Sequence, residues 1–168
     1  MAYAQHQSTA RSIVARCAVL TLSDTRTADT DQSGQLIQSL LRAGGHEVAH
    51  YEILKDDAAA LRPAVERLLA DPAVDAILST GGTGITRRDV TVDAIEALID
   101  RPLPGFGELF RMLSWQQVGS GAMMSRAIGG IARGKVIFAM PGSTAAVELA
   151  MTKLILPELG HLLGELQR

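Results

Sequence analysis

Apolar positions along this chain form short continuous runs that alternate with longer stretches spaced by three and four. Arg16-Cys17-Ala18-Val19-Leu20-Thr21-Leu22 is the first short run and predicts a buried strand, ending in the polar cluster Ser23-Asp24-Thr25-Arg26. A helix is expected from Asp31 or Ser33, with Leu36, Ile37, Leu40 and Leu41 on one side. Gly44-Gly45 closes it with the residue type that accepts a left-handed C-cap. Residues 46–54 alternate loosely as a second strand, and Leu61, Val65, Leu68 and Leu69 fall at the spacing of an amphipathic helix that Asp71-Pro72 breaks. A third strand follows over 75–80 and a helix over 91–99.

Beyond Ile99 the pattern is less regular. Residues 102–108 read as an irregular connection, Leu109 to Gln117 as a helix, and Gly119-Ser120-Gly121 as its end. Residues 122–131 suit an edge strand or hairpin, and 135–140 a further strand cut off by Pro141-Gly142-Ser143. Val147, Ala150, Met151 and Leu154 mark another helix, and Pro157 suits the first turn of a last one, where its missing N–H costs nothing. This βαβαβ rhythm predicts an α/β fold, a mostly parallel central sheet covered by helices on both faces. The expected organisation is a loose tail over 1–12 and a single domain over 13–168.

Composition narrows the function classes. The chain has 168 residues, 47% of them apolar and 20% charged, which reads as a globular domain large enough to bury a core. A net charge of −2 and 4% aromatic residues give neither a basic field nor stacking platforms, so no nucleic-acid partner is expected. No signal peptide or long apolar run is read, so the expected location is the cytoplasm, with no membrane partner. Cys17 is the only cysteine; it excludes an internal disulfide and a Cys-based metal cluster, and its strand setting predicts a buried thiol. His46 and His50 lie on a strand, about 13 Å apart, so zinc is not expected. There is no Gly-x-Ser-x-Gly elbow and no Walker pattern.

Residues 80–91, Thr-Gly-Gly-Thr-Gly-Ile-Thr-Arg-Arg-Asp-Val-Thr, carry the sharpest chemistry. Gly81, Gly82 and Gly84 sit where a parallel strand hands over to a helix, and there glycine lets backbone amides approach an anion. Asp89 follows closely enough to hold a divalent cation near bound phosphates; the plainer reading is a carboxylate favourable at a helix start, with Thr91 competing as N-cap. Ser23-Asp24, Asp56-Asp57 and Pro141-Gly142-Ser143 would open on the same edge of the sheet. Taken singly, Asp24 and Asp56 are more often turn formers. Only one of the adjacent Arg87 and Arg88 is expected to face a ligand, and Ser125-Arg126 fits either a phosphate contact or an edge ion pair.

Thr80-Gly81-Gly82-Thr83-Gly84 with Arg88-Asp89-Val90-Thr91 resembles the signature of the molybdopterin-binding MoaB/MogA family and its gephyrin-type relatives. Leu22 to Arg26, Leu103-Pro104-Gly105-Phe106-Gly107-Glu108, Ser125-Arg126 and Met140-Pro141-Gly142-Ser143 extend the resemblance from Arg16 to the C-terminus. Ser23 to Arg26 with Asp29, Asp31, Ser33 and Gly34 is more similar to the MoaB branch. The resemblance implies a three-layer α/β/α sandwich and a role in molybdenum cofactor biosynthesis, with molybdopterin adenylylated by Mg-ATP and pyrophosphate released. It implies Asp56 and Asp89 as the acidic catalytic pair, with Asp89 at Mg²⁺. Ser23, Asp24, Gly81, Gly82, Thr83, Gly84, Arg88, Ser125, Arg126, Pro141, Gly142 and Ser143 become binding residues, Ser125 on the pterin side. A hexamer of paired trimers is favoured over a trimer, with contacts to other cofactor-biosynthesis proteins; Leu109 to Trp115 supplies apolar candidates for subunit contacts.

Two positions depart from the family pattern: Lys55 and Val92 stand where proline is common. Neither removes a polar group. A molybdopterin adenylyltransferase is the leading expectation. The alternatives are a non-catalytic pterin-binding or scaffold protein and, last, a flavodoxin-like phosphate-binding domain.

Overall fold

The computed structural model describes residues 13–168, so the expected tail over 1–12 lies outside the described residues. Six strands form one sheet in the order β2-β1-β3-β6-β5-β4. They are β1 (Arg16–Leu22), β2 (Glu47–Leu54), β3 (Ala76–Thr80), β4 (Arg101–Pro102), β5 (Ile128–Ala132) and β6 (Lys135–Met140). β2, β1, β3 and β6 run parallel, while β5 lies antiparallel to β6 and to β4. The helices are α1 (Gln32–Ala43), α2 (Ala58–Ala70), α3 (Thr91–Glu96), α4 (Pro104–Val118), α5 (Thr144–Ala150) and α6 (Leu156–Leu166).

Because strand side chains alternate faces, the continuous apolar runs feed two cores. Cys17, Val19, Leu78, Val136 and Phe138 meet Ile37 and Leu41 of α1, Phe110 of α4, Val147 of α5 and Leu159 of α6 on one face. Ala18, Leu20, Ile77, Ile137 and Ala139 meet Leu61, Val65 and Leu68 of α2 and Ile95 of α3 on the other. This is the three-layer sandwich expected. Cys17 is fully buried, and burial pushes its thiol up to about 12, so it is an inert core group.

The structure departs from the expected pattern in three places. The stretch 102–108 is not irregular: Pro104 occupies the first turn of α4, and Gly107 brings that turn against β5, where a Cβ would lie 2.5 Å from the Ala127 carbonyl oxygen. The glycines at 119–121 lead into a 3₁₀ turn, Gly119–Met124, and Ser125-Arg126 precede β5 rather than lying on an edge strand. The hairpin option for this region holds, placed further along the chain: β5 and β6 turn across Arg133 and Gly134, both at positive φ. The last two helices are not separated: backbone angles stay helical through a π turn at Met151–Ile155, just before Pro157, which cannot donate a helix hydrogen bond.

One buried carboxylate ties this frame together at the carboxyl end of the sheet. Asp31 caps α1 by accepting from the Gly34 amide (3.0 Å), and its other oxygen accepts from the Tyr51 hydroxyl of β2 (2.7 Å). Arg26 reaches it at 3.3 Å and donates to the Gly142 carbonyl at 3.0 Å, where Ser33 Oγ also donates at 2.7 Å. Burial raises the pKa of Asp31, but the neighbouring Thr21 hydroxyl, the donors Gly34 and Tyr51 and the Arg26 charge outweigh it and hold it below the usual carboxylate value. A depressed folded pKa means that Asp31 stabilises the fold above the ordinary carboxylate pKa, and that this is lost as pH falls through the folded value. Asp31→Ala is expected to cost about 3 kcal/mol in urea unfolding at pH 7, because it strands buried donors and Arg26, and the deficit should narrow in acid. A loss under about 1 kcal/mol would rule out this role.

Candidate functional site

Four loops that leave parallel strands meet at the carboxyl edge, as the topology requires. The glycine loop after β3 is fastened on three sides. The Gly81 amide donates to the Met140 carbonyl (3.1 Å), the Thr91 amide to the Gly82 carbonyl (3.1 Å), and the Arg126 amide to the Thr83 carbonyl (3.2 Å). Gly81 and Gly82 take φ of +98° and +62°, which L side chains rarely adopt, and a Cβ on Gly81 would lie 2.5 Å from the Leu22 carbonyl oxygen. Among the described residues, the Gly82 and Thr83 amides find no acceptor, which leaves two adjacent donors for an anion.

The acidic residues divide their roles. Asp57 is the structural one: it caps α2 by accepting from the Ala59 amide at 2.9 Å. Asp56, one residue earlier, keeps a buried oxygen, Oδ1, without a hydrogen-bond partner. That oxygen and the equally unpartnered Thr91 Oγ1 both flank Gly82; a Cβ there would lie 2.7 Å from the first and 2.2 Å from the second. Asp24 joins two loops, accepting from the Asp56 amide at 3.2 Å and from Arg88 Nη2 at 3.3 Å. Arg88 is therefore the arginine of the pair that turns toward the acidic group. Burial, then the charges of Asp89 and Asp24, raise the pKa of Asp56, with Arg88 partly offsetting them.

Asp89 bends back on its own loop. Its Oδ2 accepts from the Thr86 amide (2.8 Å) and hydroxyl (2.6 Å). The Thr86 hydroxyl bond leads a set of donors that outweighs burial and lowers its pKa. Thr91 is not the cap that sequence suggested; Val90 holds that position without a side-chain bond, and Thr91 is the first helical residue. Ser23 Oγ accepts from the Thr25 and Arg26 amides (3.2 and 3.1 Å), and Ser143 caps α5 through the Ala146 amide (3.2 Å). The Arg126 guanidinium pairs with Asp93 at 2.9 Å and donates to the Asp89 carbonyl at 3.0 Å, the ion-pair option of the two that sequence left open.

Beside Ser125-Arg126 a cleft of about 440 Å³ opens between α3, α4 and β5. Glu108 and Arg111 line it; Glu108 closes the Leu103 to Glu108 motif of the resemblance without a role assigned to it there, and no sequence signal separates Arg111 from an ordinary helix-surface charge. Arg26, Asp31, Ser33 and Tyr51 were likewise missed as a network, since their partners lie on different elements. Among the described residues no group of three or more His, Cys, Asp or Glu is gathered to hold a metal. Mg²⁺ fits nonetheless as a phosphate-accompanied ion, because it commonly takes only one or two carboxylates, and Asp56 offers an unused oxygen in a field of negative charge. No helix of the described residues is long and apolar enough to cross a membrane.

Fold and site together define an α/β protein whose carboxyl edge leaves two adjacent amide donors and a buried carboxylate oxygen unpaired. The family model described as "Probable molybdopterin binding domain" matches residues 18–161. The Bacillus cereus protein named "Molybdenum cofactor biosynthesis protein B" is 54% identical over 169 residues, covering 100% of this chain and 99% of that one. A crystal structure of a molybdenum cofactor biosynthesis protein B superposes with TM-score 0.91 at 55% identity, covering 93% of this chain and 98% of that one. The tungsten cofactor synthesizing protein MoaB of Pyrococcus furiosus superposes with TM-score 0.78 at 36% identity, covering 92% and 98%. The chain belongs to the molybdopterin-binding MoaB/MogA family.

Asp56 generates a sign prediction. Its raised pKa means the folded state binds that proton more tightly than the unfolded state, so the charged group costs stability at neutral pH and the cost fades as pH falls through the raised value. Asp56→Asn is expected to fold with unchanged or slightly higher stability at pH 7, by up to about 1 kcal/mol, with no gain in acid. Thermal melts across pH measure this, and a clear loss of stability would show that Asp56 is structural.

Proposed function

We propose that this chain acts in molybdenum cofactor biosynthesis by binding molybdopterin and joining its terminal phosphate to AMP from ATP. The observation that carries the reading is the buried, unpartnered Asp56 oxygen beside Gly82, next to two amides that lack acceptors. A site that leaves both signs of hydrogen-bonding capacity unused is suited to a phosphate accompanied by a cation.

In the proposed reaction a phosphate oxygen of molybdopterin attacks the α-phosphorus of ATP, forming one P–O bond while the bond to pyrophosphate breaks. No protein nucleophile is needed, in keeping with the inert Cys17. The residues supply positioning: the Gly82 and Thr83 amides hold phosphate oxygens, and Arg88 lies close enough to Asp24 to share its charge with them. Pro141 to Ser143 close the far side, fixed through Gly142 by Arg26 and Ser33. Mg²⁺, held by Asp56 and Asp89 with phosphate oxygens, would supply charge neutralisation.

Purified protein mixed with molybdopterin, ATP and Mg²⁺ is expected to yield adenylylated pterin and equimolar pyrophosphate. Asp89→Asn keeps an acceptor for Thr86, so it should fold normally while turnover falls at least a hundredfold. Tight binding with no product from the unmodified chain would replace the enzyme reading with that of a carrier. An unimpaired Asp89→Asn would remove Asp89 from the metal site.

A homo-oligomer, a hexamer of paired trimers, belongs to the same proposal. Its support is the exposed apolar surface of Leu109, Met112, Trp115 and Val118 on α4, continued by Met123 and Met124. Light scattering should give a mass near six times the 17.8 kDa chain, and a monomer would refute the assembly.

A further inference from the structure

The polar groups of the cleft beside Ser125 are not equally available to a ligand. Arg111 Nη1 is shared between the carbonyl oxygens of Ser125 and Ala127, at 3.4 Å each. The Arg126 guanidinium is held by both oxygens of Asp93 (3.3 and 2.9 Å) and by the Asp89 carbonyl. Arg111 Nη1 and both Nη groups of Arg126 are thus engaged by protein acceptors, while Arg126 Nε is buried without a partner, so each cation turns only part of its donor set toward the cleft. Two carboxylates line the same space. Glu96 lies in the field of Arg126, which it helps hold protonated. Glu108, exposed on the first turns of α4, makes no hydrogen bond or ion pair among the described residues.

An ionised carboxylate only accepts hydrogen bonds, and its two oxygens match a pair of parallel N–H donors. Apolar walls, including Leu103 and Ile128, make the cleft fit for a flat ring. A flat ring that offers two parallel N–H groups is an amino-pyrimidinone: its ring N–H and exocyclic amine lie side by side. A 2,4-dioxo ring presents a carbonyl at one of those positions and would set oxygen against oxygen. The Ser125-Arg126 segment joins the cleft to the glycine loop through the Arg126 amide, so a ring here can trail a phosphate arm toward Gly82 and Thr83.

We propose that Glu108 is a specificity-determining residue that reads the amino-pyrimidinone edge of the bound ring, selecting 2-amino-4-oxo over 2,4-dioxo pteridines. This rests on the reading that a pterin occupies the cleft, and the test separates the two. The full chain is titrated by fluorescence with 6-hydroxymethylpterin and with 6-hydroxymethyllumazine. The unmodified protein should prefer the pterin by at least about tenfold, because the dioxo ring leaves a carboxylate oxygen facing a carbonyl. Glu108→Gln replaces two acceptors with one acceptor and one donor, which is the complement of the dioxo edge, so the preference should invert. Glu96→Gln should move either affinity by less than about threefold, and all three proteins should melt alike, since both glutamates are exposed.

Each other outcome decides against the proposal in its own way. A preference for pterin that survives Glu108→Gln overturns the role of Glu108 and leaves pterin binding standing. Inversion by Glu96→Gln instead moves the role to that residue. Failure of the unmodified protein to bind either ring overturns the proposal together with the reading beneath it.

Discussion

The carboxyl edge of this sheet is held by one buried anion. Asp31 lies at the N-terminus of α1 with no exposure, and an uncompensated charge there would be untenable. Its compensation comes from four parts of the chain: the loop after β1 through Arg26, α1 itself through Gly34, β2 through Tyr51, and the loop after β6 through the shared attachment of Arg26 to Gly142. None of these elements can shift alone without stranding a donor or the carboxylate. The Pro141 to Ser143 loop is therefore held in place through a residue that has no exposed surface, and Gly142 in turn packs against Gly81, where a Cβ would approach within 3.3 Å of its Cα. Rigidity at the site is inherited from a core interaction.

Much of the fold was legible because buried strands and amphipathic helices leave periodic traces. β1, β3 and β6 emerge from short continuous apolar runs, and α2 from its i, i+4, i+7 spacing. α4 was read too short because Pro104, Gly105 and Gly107 are poor helix formers in isolation. Its first turn forms because proline is favourable at that position and glycine admits the close contact with Ala127. The fused last helices were read as two because proline usually marks a boundary, and a π turn absorbed the missing bond instead. In each case tertiary contact overrode a local preference.

The site was legible in a different way. The glycine loop and the carboxylates announce themselves by residue type, but their division of labour does not. Asp56 and Asp57 are adjacent and chemically identical, yet one caps a helix and the other keeps a free oxygen over Gly82. Ser23 and Ser143 match the family motif but spend their hydroxyls on turns and caps. What sequence could not supply is the accounting of which hydrogen-bonding capacity folding has already consumed.

That accounting also explains how one edge of the sheet can treat the two ends of a ligand differently. Around Gly82 the unused groups are backbone amides beside a raised-pKa carboxylate, an environment that favours phosphate brought with a cation. A short distance along the Ser125-Arg126 segment the terminal guanidinium nitrogens are engaged by carbonyls and Asp93, while Arg126 Nε and the carboxylate of Glu108 have no partner among the described residues. The same residue types, two arginines and several acids, are present at both ends. Folding assigns them opposite tasks by deciding which are left unsatisfied. The direction proposed for the ligand, acidic arm toward Gly82 and donor-rich ring toward Glu108, would follow from the hydrogen bonds the protein has already made with itself.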